Sequence, residues 1–205
     1  MAYNHEKGMC YVLKDPGICF IPIPKNASTT IRREVFNNNV DDATDNFIKN
    51  PDILENNKVI AVIREPIDRF CSAYLEILIR THDCPKTLEK DFYHLRDEPH
   101  RFLEFIKETT RGFYDAHIEP QLFYITDLNK EVVKVDEFWE MENVKEHIQK
   151  QFGSQEVGQH NFKRIEQKEE YINFLNKYPK VRKVVEGIYR EDIKFYLNQT
   201  KRSKK

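Results

Sequence analysis

Glycine is scarce in this chain: there are six among 205 residues, and none between Gly17 and Gly112. A loop of the form Gly-x-x-x-x-Gly-Lys-Ser/Thr, which lets a backbone close tightly around a triphosphate, therefore has no place in it. Cysteine is sparse as well. Cys10, Cys19, Cys71 and Cys84 form no Cys-x-x-Cys pair, which argues against a disulfide framework or a zinc knuckle and leaves reduced, mostly buried thiols as the expectation. His5, His82, His94, His100, His147 and His160 fall at no spacing that sets two of them beside a carboxylate on one helical face, so no metal site is expected. No apolar run approaches the roughly 20 residues of a membrane span, and residues 1–7 lack the apolar core of a signal peptide. The expectation is a soluble, cytoplasmic chain with no stable membrane insertion. A net charge of -1 exerts no global pull on nucleic acid, so any anion site must be local. The length and the 40% hydrophobic content suit a single domain over residues 1–200, followed by a disordered basic tail at 201–205.

What is present begins with Ile18-Cys19-Phe20-Ile21-Pro22-Ile23, apolar at consecutive positions, as a strand covered on both faces must be. It runs into Pro24-Lys25-Asn26-Ala27-Ser28-Thr29-Thr30, a turn carrying an ammonium and three hydroxyls at the start of a helix predicted to reach about residue 36. The first N–H groups of a helix have no intrahelical partners and lie at the positive end of its dipole, so this turn reads as a phosphate cradle. The polar stretch 37–46 reads as a surface loop, with irregular chain continuing through Pro51 to Asn57.

A second apolar run, residues 58–63, ends on Arg64-Glu65-Pro66. Pro66 opens a helix in which Ile67, Phe70, Cys71, Tyr74, Leu75 and Leu78 recur at helical spacing. Ser72 lies eight positions after Arg64, about two helical turns, so the Arg64 guanidinium and the Ser72 hydroxyl can face one phosphate. Further along, Phe102, Phe105 and Ile106 form a helical stripe, 122–125 and 132–135 read as short strands around a turn at 127–130, and a helix is predicted over 140–152 with Gly153 as its cap. Two helices follow near 167–177 and 181–197, divided by Pro179. Trp139, Phe102, Phe105, Phe113 and Tyr114 read as core, and Arg69 as a partner of Glu65 or Asp68. Ligands of open α/β sheets collect at the C-terminal ends of parallel strands. Two such ends with anion-binding residues point to one ligand with phosphates at both ends.

The pair of motifs, Pro24 to Thr30 and Ile63-Arg64-Glu65-Pro66-Ile67-Asp68-Arg69-Phe70-Cys71-Ser72-Ala73-Tyr74, resembles the two cofactor motifs of the sulfotransferases that use 3′-phosphoadenosine-5′-phosphosulfate (PAPS). Order and spacing are similar to the Golgi carbohydrate branch, the HNK-1, chondroitin and heparan 2-O types, and His117-Ile118-Glu119-Pro120-Gln121 resembles a His-x-x-Pro-Gln segment of the first two. The chain departs from them in carrying Glu65 where Asp is commoner, in showing no membrane anchor or stem, in having no histidine between the two motifs and in being short. The resemblance implies a three-layer α/β fold, a central mainly parallel sheet flanked by helices as in P-loop NTPases, with a helical C-terminal part. It implies sulfuryl transfer to an acceptor hydroxyl of a small molecule or carbohydrate, with PAP as the product and no metal. Pro24, Lys25, Asn26, Ala27, Ser28, Thr29 and Thr30 would hold the 5′-phosphate end, and Arg64 and Ser72 the 3′-phosphate. Lys25 would be catalytic at the bridging oxygen and His117 the base, with Glu34 and Glu119 as carboxylate alternatives. His160-Asn161 would border the cofactor. A nucleotide or nucleoside kinase and a PAP- or PAPS-binding module without turnover are the competing readings.

Overall fold

Strands that are apolar at every position need cover on both faces, and the two runs singled out above receive it. The computed structural model describes residues 6–37, 43–73, 116–153 and 165–202. Its sheet contains β1 (Met9–Leu13), β2 (Ile18–Ile21), β3 (Thr44–Asn46), β4 (Lys58–Ile63) and β5 (Glu137–Glu140) in the order β3-β1-β2-β4-β5. The centre is parallel, β2 with β4 and β4 with β5, while β1 pairs antiparallel with both β2 and β3. This is the expected α/β architecture with an antiparallel margin.

Successive residues of β2 and β4 serve opposite faces. Ile18, Phe20, Ile60 and Val62 join Trp139, Ile31 of helix α1 (Ser28–Glu34) and Val144 and Ile148 of a later helix, Val144–Phe152. Cys19, Ile21, Val59 and Ala61 face the other way, onto Ile53 and Leu54 of α2 (Asp52–Asn56), onto Tyr124, and onto Phe195. Full burial of such side chains contributes roughly 1.5–3 kcal/mol each. Cys10, Cys19 and Cys71 are free thiols buried in the core, and the Cys19 thiol is pushed well up by its hydrogen bond with Cys10 and by burial.

The chain divides into two compact units. The sheet belongs to the one made of Met1–Arg64, Pro120–His160 and Phe195–Lys205; the other comprises Glu65–Glu119 and Asn161–Lys194. The second unit is helical where described: α3 (residues 66–73) packs Ile67, Phe70 and Cys71 against Leu175, Val181, Val185 and Tyr189.

Several elements differ from the sequence expectation. Thr44–Asn46, read as loop, adds β3 to the sheet edge, and Asp52–Asn56 forms a helical turn within the stretch read as irregular. Residues 122–125 are not a strand: Gln121–Tyr124 is helix α4, following Pro120 at its N-cap. The pairing there shrinks to one bridge, Thr126 with Val132, over the expected turn. The helix near 140 begins as a 3-10 turn, Met141–Asn143, and continues as α5, Val144–Phe152, with Gly153 capping it at φ 65°. Pro179 opens α7 (Pro179–Ile188) after α6 (Ile165–Lys177), but the last predicted helix is broken at Tyr189, and α8 (Arg190–Arg202) reaches two residues into the expected tail. The stripe at Phe102, Phe105 and Ile106, together with Phe113, Tyr114, Tyr74, Cys84 and His160-Asn161, lies outside the described residues. Among the described residues no helix is long and apolar enough to cross a membrane.

Candidate functional site

Pro22 and Pro24 have no N–H to give a ladder, so β2 stops at Ile21 and the chain turns. The turn holds two non-glycine residues in the left-handed region, Lys25 at φ 68° and Ala27 at φ 57°, a conformation costing roughly 1–2 kcal/mol each. Its start is fixed by the Asn26 N–H donating to the Ile23 carbonyl, 3.1 Å. Ala27 occupies the N-cap of α1 and has no side-chain oxygen with which to cap it. Ser28, Thr29 and Thr30 form the first turn of that helix, all half-buried, beside the half-buried Lys25. Strain retained at such a point, with helix amides that no side chain caps and hydroxyls beyond it, keeps this turn as the candidate anion cradle, built without glycine.

The cradle is tied to the end of the neighbouring strand by side-chain amides. Asn26 is 1% exposed, Gln121 0% and Arg64 7%. Asn26 Nδ2 donates to the Val62 carbonyl at 2.8 Å and to Gln121 Oε1 at 3.0 Å. Gln121 Oε1 also accepts from the Arg64 N–H, 3.3 Å, and Gln121 Nε2 donates to the Arg64 carbonyl, 3.0 Å. Arg64 Nη1 in turn donates to the Lys25 carbonyl, 2.8 Å. Lys25 and Arg64, the two cations singled out from the sequence, are thus one hydrogen bond apart through a backbone carbonyl. The sequence gives Gln121 a place in a motif but no role, because nothing in a sequence distinguishes a buried amide from a surface one.

Ser72 and His117 belong to the other unit, both half-buried. Ser72 lies on α3, whose start is capped by Glu65: its Oε2 accepts the Asp68 N–H at 2.6 Å. The side chain that replaces the commoner Asp thus serves the helix terminus, as an N-cap carboxylate does. The turn at 116–119, which carries His117, is held by its carbonyls. Tyr189 donates its hydroxyl to the Ile118 carbonyl, and the buried Arg69 donates Nη1 to the Glu119 carbonyl at 2.7 Å. Ile118 packs on Ala73, next to Ser72. Arg69, expected beside Glu65 or Asp68, therefore spends at least one donor on this turn. Burial raises the Glu119 carboxyl above its ordinary value, and the charge of Arg69 offsets part of that rise. Glu34, the other carboxylate alternative, ends α1 and is half-buried.

A family model described as "Sulfotransferase family" matches residues 9–197. The chain belongs to the sulfotransferase family. No curated protein and no solved structure gives a significant match. The family match runs from β1 into α8 and includes the cradle, Arg64, Ser72 and His117. Its members transfer sulfuryl groups, and the kinase reading, already short of a glycine loop, loses its ground. The strained turn after β2 and the cation just past the end of β4 are local features within the matched span, in a chain of net charge -1. Among the described residues no group of three or more His, Cys, Asp or Glu side chains could hold a metal ion.

Proposed function

We propose that this sulfotransferase moves the sulfuryl group of PAPS to a hydroxyl of a carbohydrate acceptor. The observation that carries the donor assignment is the bond from Arg64 Nη1 to the Lys25 carbonyl, 2.8 Å, which joins two cationic residues at the C-terminal ends of adjacent parallel strands, where α/β ligands collect. The residues fit a donor anionic at both ends. Pro24, Lys25, Asn26, Ala27 and the hydroxyls and amides of Ser28, Thr29 and Thr30 would hold the 5′-phosphosulfate; Arg64 and Ser72 would hold the 3′-phosphate. When bound, PAPS supplies the sulfuryl group, and the chemistry asks of the protein mainly positioning and charge stabilisation. The Lys25 ammonium would neutralise charge at the 5′-phosphate end. His117 would accept the acceptor's proton at an imidazole nitrogen, with Glu119, whose carboxyl burial raises above its ordinary value, as the alternative base. The carbohydrate acceptor rests on the likeness of residues 117–121 and of the motif spacing to the Golgi branch.

Calorimetry with PAP and ATP tests the donor, and labelled PAPS against a panel of glycans, phenols, steroids and small alcohols tests the acceptor. PAP is expected to bind in the micromolar range, Lys25→Ala and Arg64→Ala each to weaken it at least tenfold, and His117→Ala to abolish turnover while leaving PAP affinity intact. Tight ATP binding without PAP binding sinks the proposal. PAP binding without transfer to any acceptor would favour the binding module.

A further inference from the structure

We infer that Gln121 is a positioning residue for the donor cradle, an inference that rests on reading the turn at 24–27 as the PAPS 5′ end. In the parallel register Ile21 faces Ala61, the last pair joining β2 to β4, and the chain then turns away through Pro22 and Pro24. Past that pair a side-chain amide takes over: Asn26 Nδ2 donates to the Val62 carbonyl at 2.8 Å. Two residues further, Arg64 lies just past the end of β4, and its backbone N–H and carbonyl are both met by the Gln121 amide, at 3.3 and 3.0 Å. Two side-chain amides thus extend the sheet beyond its last backbone pairs, and they bond to each other, Asn26 Nδ2 to Gln121 Oε1, at 3.0 Å.

The consequence falls on the cradle. Asn26 stands between Lys25 and Ala27, the two residues held at positive φ, and Arg64 reaches back to the Lys25 carbonyl. Each left-handed residue would relax toward a commoner conformation if released, so the strain must be countered by fixed neighbours. Gln121 supplies that fixture: it is fully buried, reaches Asn26 on one side and Arg64 on the other, and so sets the cradle's backbone relative to the end of β4. It acts through Asn26 and Arg64, not on the donor. A buried amide with three such bonds is also poorly replaced, because its removal takes one bond from Asn26 Nδ2 and two from the Arg64 backbone in a buried site.

Two variants and two readouts test this. Gln121→Met keeps the length and removes both polar atoms; Gln121→Glu keeps the Oε1 acceptor and loses the donation to Arg64. In Gln121→Met, PAP affinity is expected to fall roughly tenfold or more, and hydrogen exchange in a peptide covering residues 22–31 to accelerate, while exchange in α7 stays at the wild-type rate. Gln121→Glu should give a smaller change in the same direction. A general loss of packing would instead speed exchange in both peptides and leave the affinity of the folded fraction alone, and that result overturns the inference. So do wild-type affinity and wild-type exchange at 22–31 in Gln121→Met, or in Gln121→Glu if the Met variant does not fold. Should wild-type protein bind no PAP, the donor reading fails, and hydrogen exchange at 22–31 still decides whether Gln121 holds the turn.

Discussion

Glu119 shows how far a single residue's setting departs from what its position in the sequence reveals. The carboxyl is raised above its ordinary value by burial, against the opposing charge of Arg69. A carboxyl whose folded-state value is raised contributes stability through its neutral form, fully present below about pH 4.5 and lost as pH rises through the folded value. Glu119→Gln, neutral throughout, keeps that contribution. Its stability relative to wild type should therefore be near zero difference at pH 4 and favour the variant at pH 7, as read from urea melts at the two pH values; a variant less stable at pH 7 than at pH 4 by this comparison would contradict the burial argument. If Glu119 is the base, the same substitution also removes turnover, so the variant gains stability as it loses activity. Lys25, Arg64 and the hydroxyls at 28–30 are legible as candidates because charge and hydroxyl chemistry are written in the residue type. Gln121, Arg69 and Tyr189 are not, because their roles come from burial and from partners 50 to 95 positions away.

At the scale of elements, β2 and β4 were readable because both faces are covered, which forces consecutive apolar residues. β5 was not: Glu137, Phe138, Trp139 and Glu140 carry no strand pattern of their own, and the extended form is imposed by parallel pairing with β4, Ile60 with Glu137 through Ile63 with Glu140. Lys58 fixes the same edge, since its Nζ lies 2.6 Å from Glu137 Oε1, and that hydrogen bond together with the one from Trp139 holds the Glu137 carboxyl below its ordinary value. Residues 122–125 read as strand because four apolar-rich residues fit either period, and Pro120 at the N-cap of the helix Gln121–Tyr124 decides the matter. For α3, the Glu65 carboxylate on the Asp68 N–H has a measurable consequence. Glu65→Ala should lower stability by about 1 kcal/mol and Glu65→Asp should restore it, with chemical denaturation as the check. A neutral Glu65→Ala would mean that Pro66 alone sets the helix start.

Over the whole molecule, the family match spans residues 9–197, yet two of the cuts between the compact units fall between Arg64 and Glu65 and between Glu119 and Pro120. Each cut falls inside a motif that the sequence presents as continuous. Arg64 and Gln121 go to the sheet unit, Ser72 and His117 to the helical one, and no composition shift or linker in the sequence marks either division. With a net charge of -1, the donor proposed here would draw its affinity from local cations alone, and its binding would register as stability of the folded chain. At about 100 times its dissociation constant a ligand specific for the native state adds roughly 2.7 kcal/mol, which for a chain of this size raises Tm by about 5–10 °C. PAP should produce a shift of that size in scanning fluorimetry, adenosine 5′-monophosphate a much smaller one because it lacks the group meant for Arg64, and Lys25→Ala should erase most of the PAP shift at the same concentration. Equal shifts from the two nucleotides would remove Arg64 from the 3′-phosphate role while leaving the cradle at Lys25 in place.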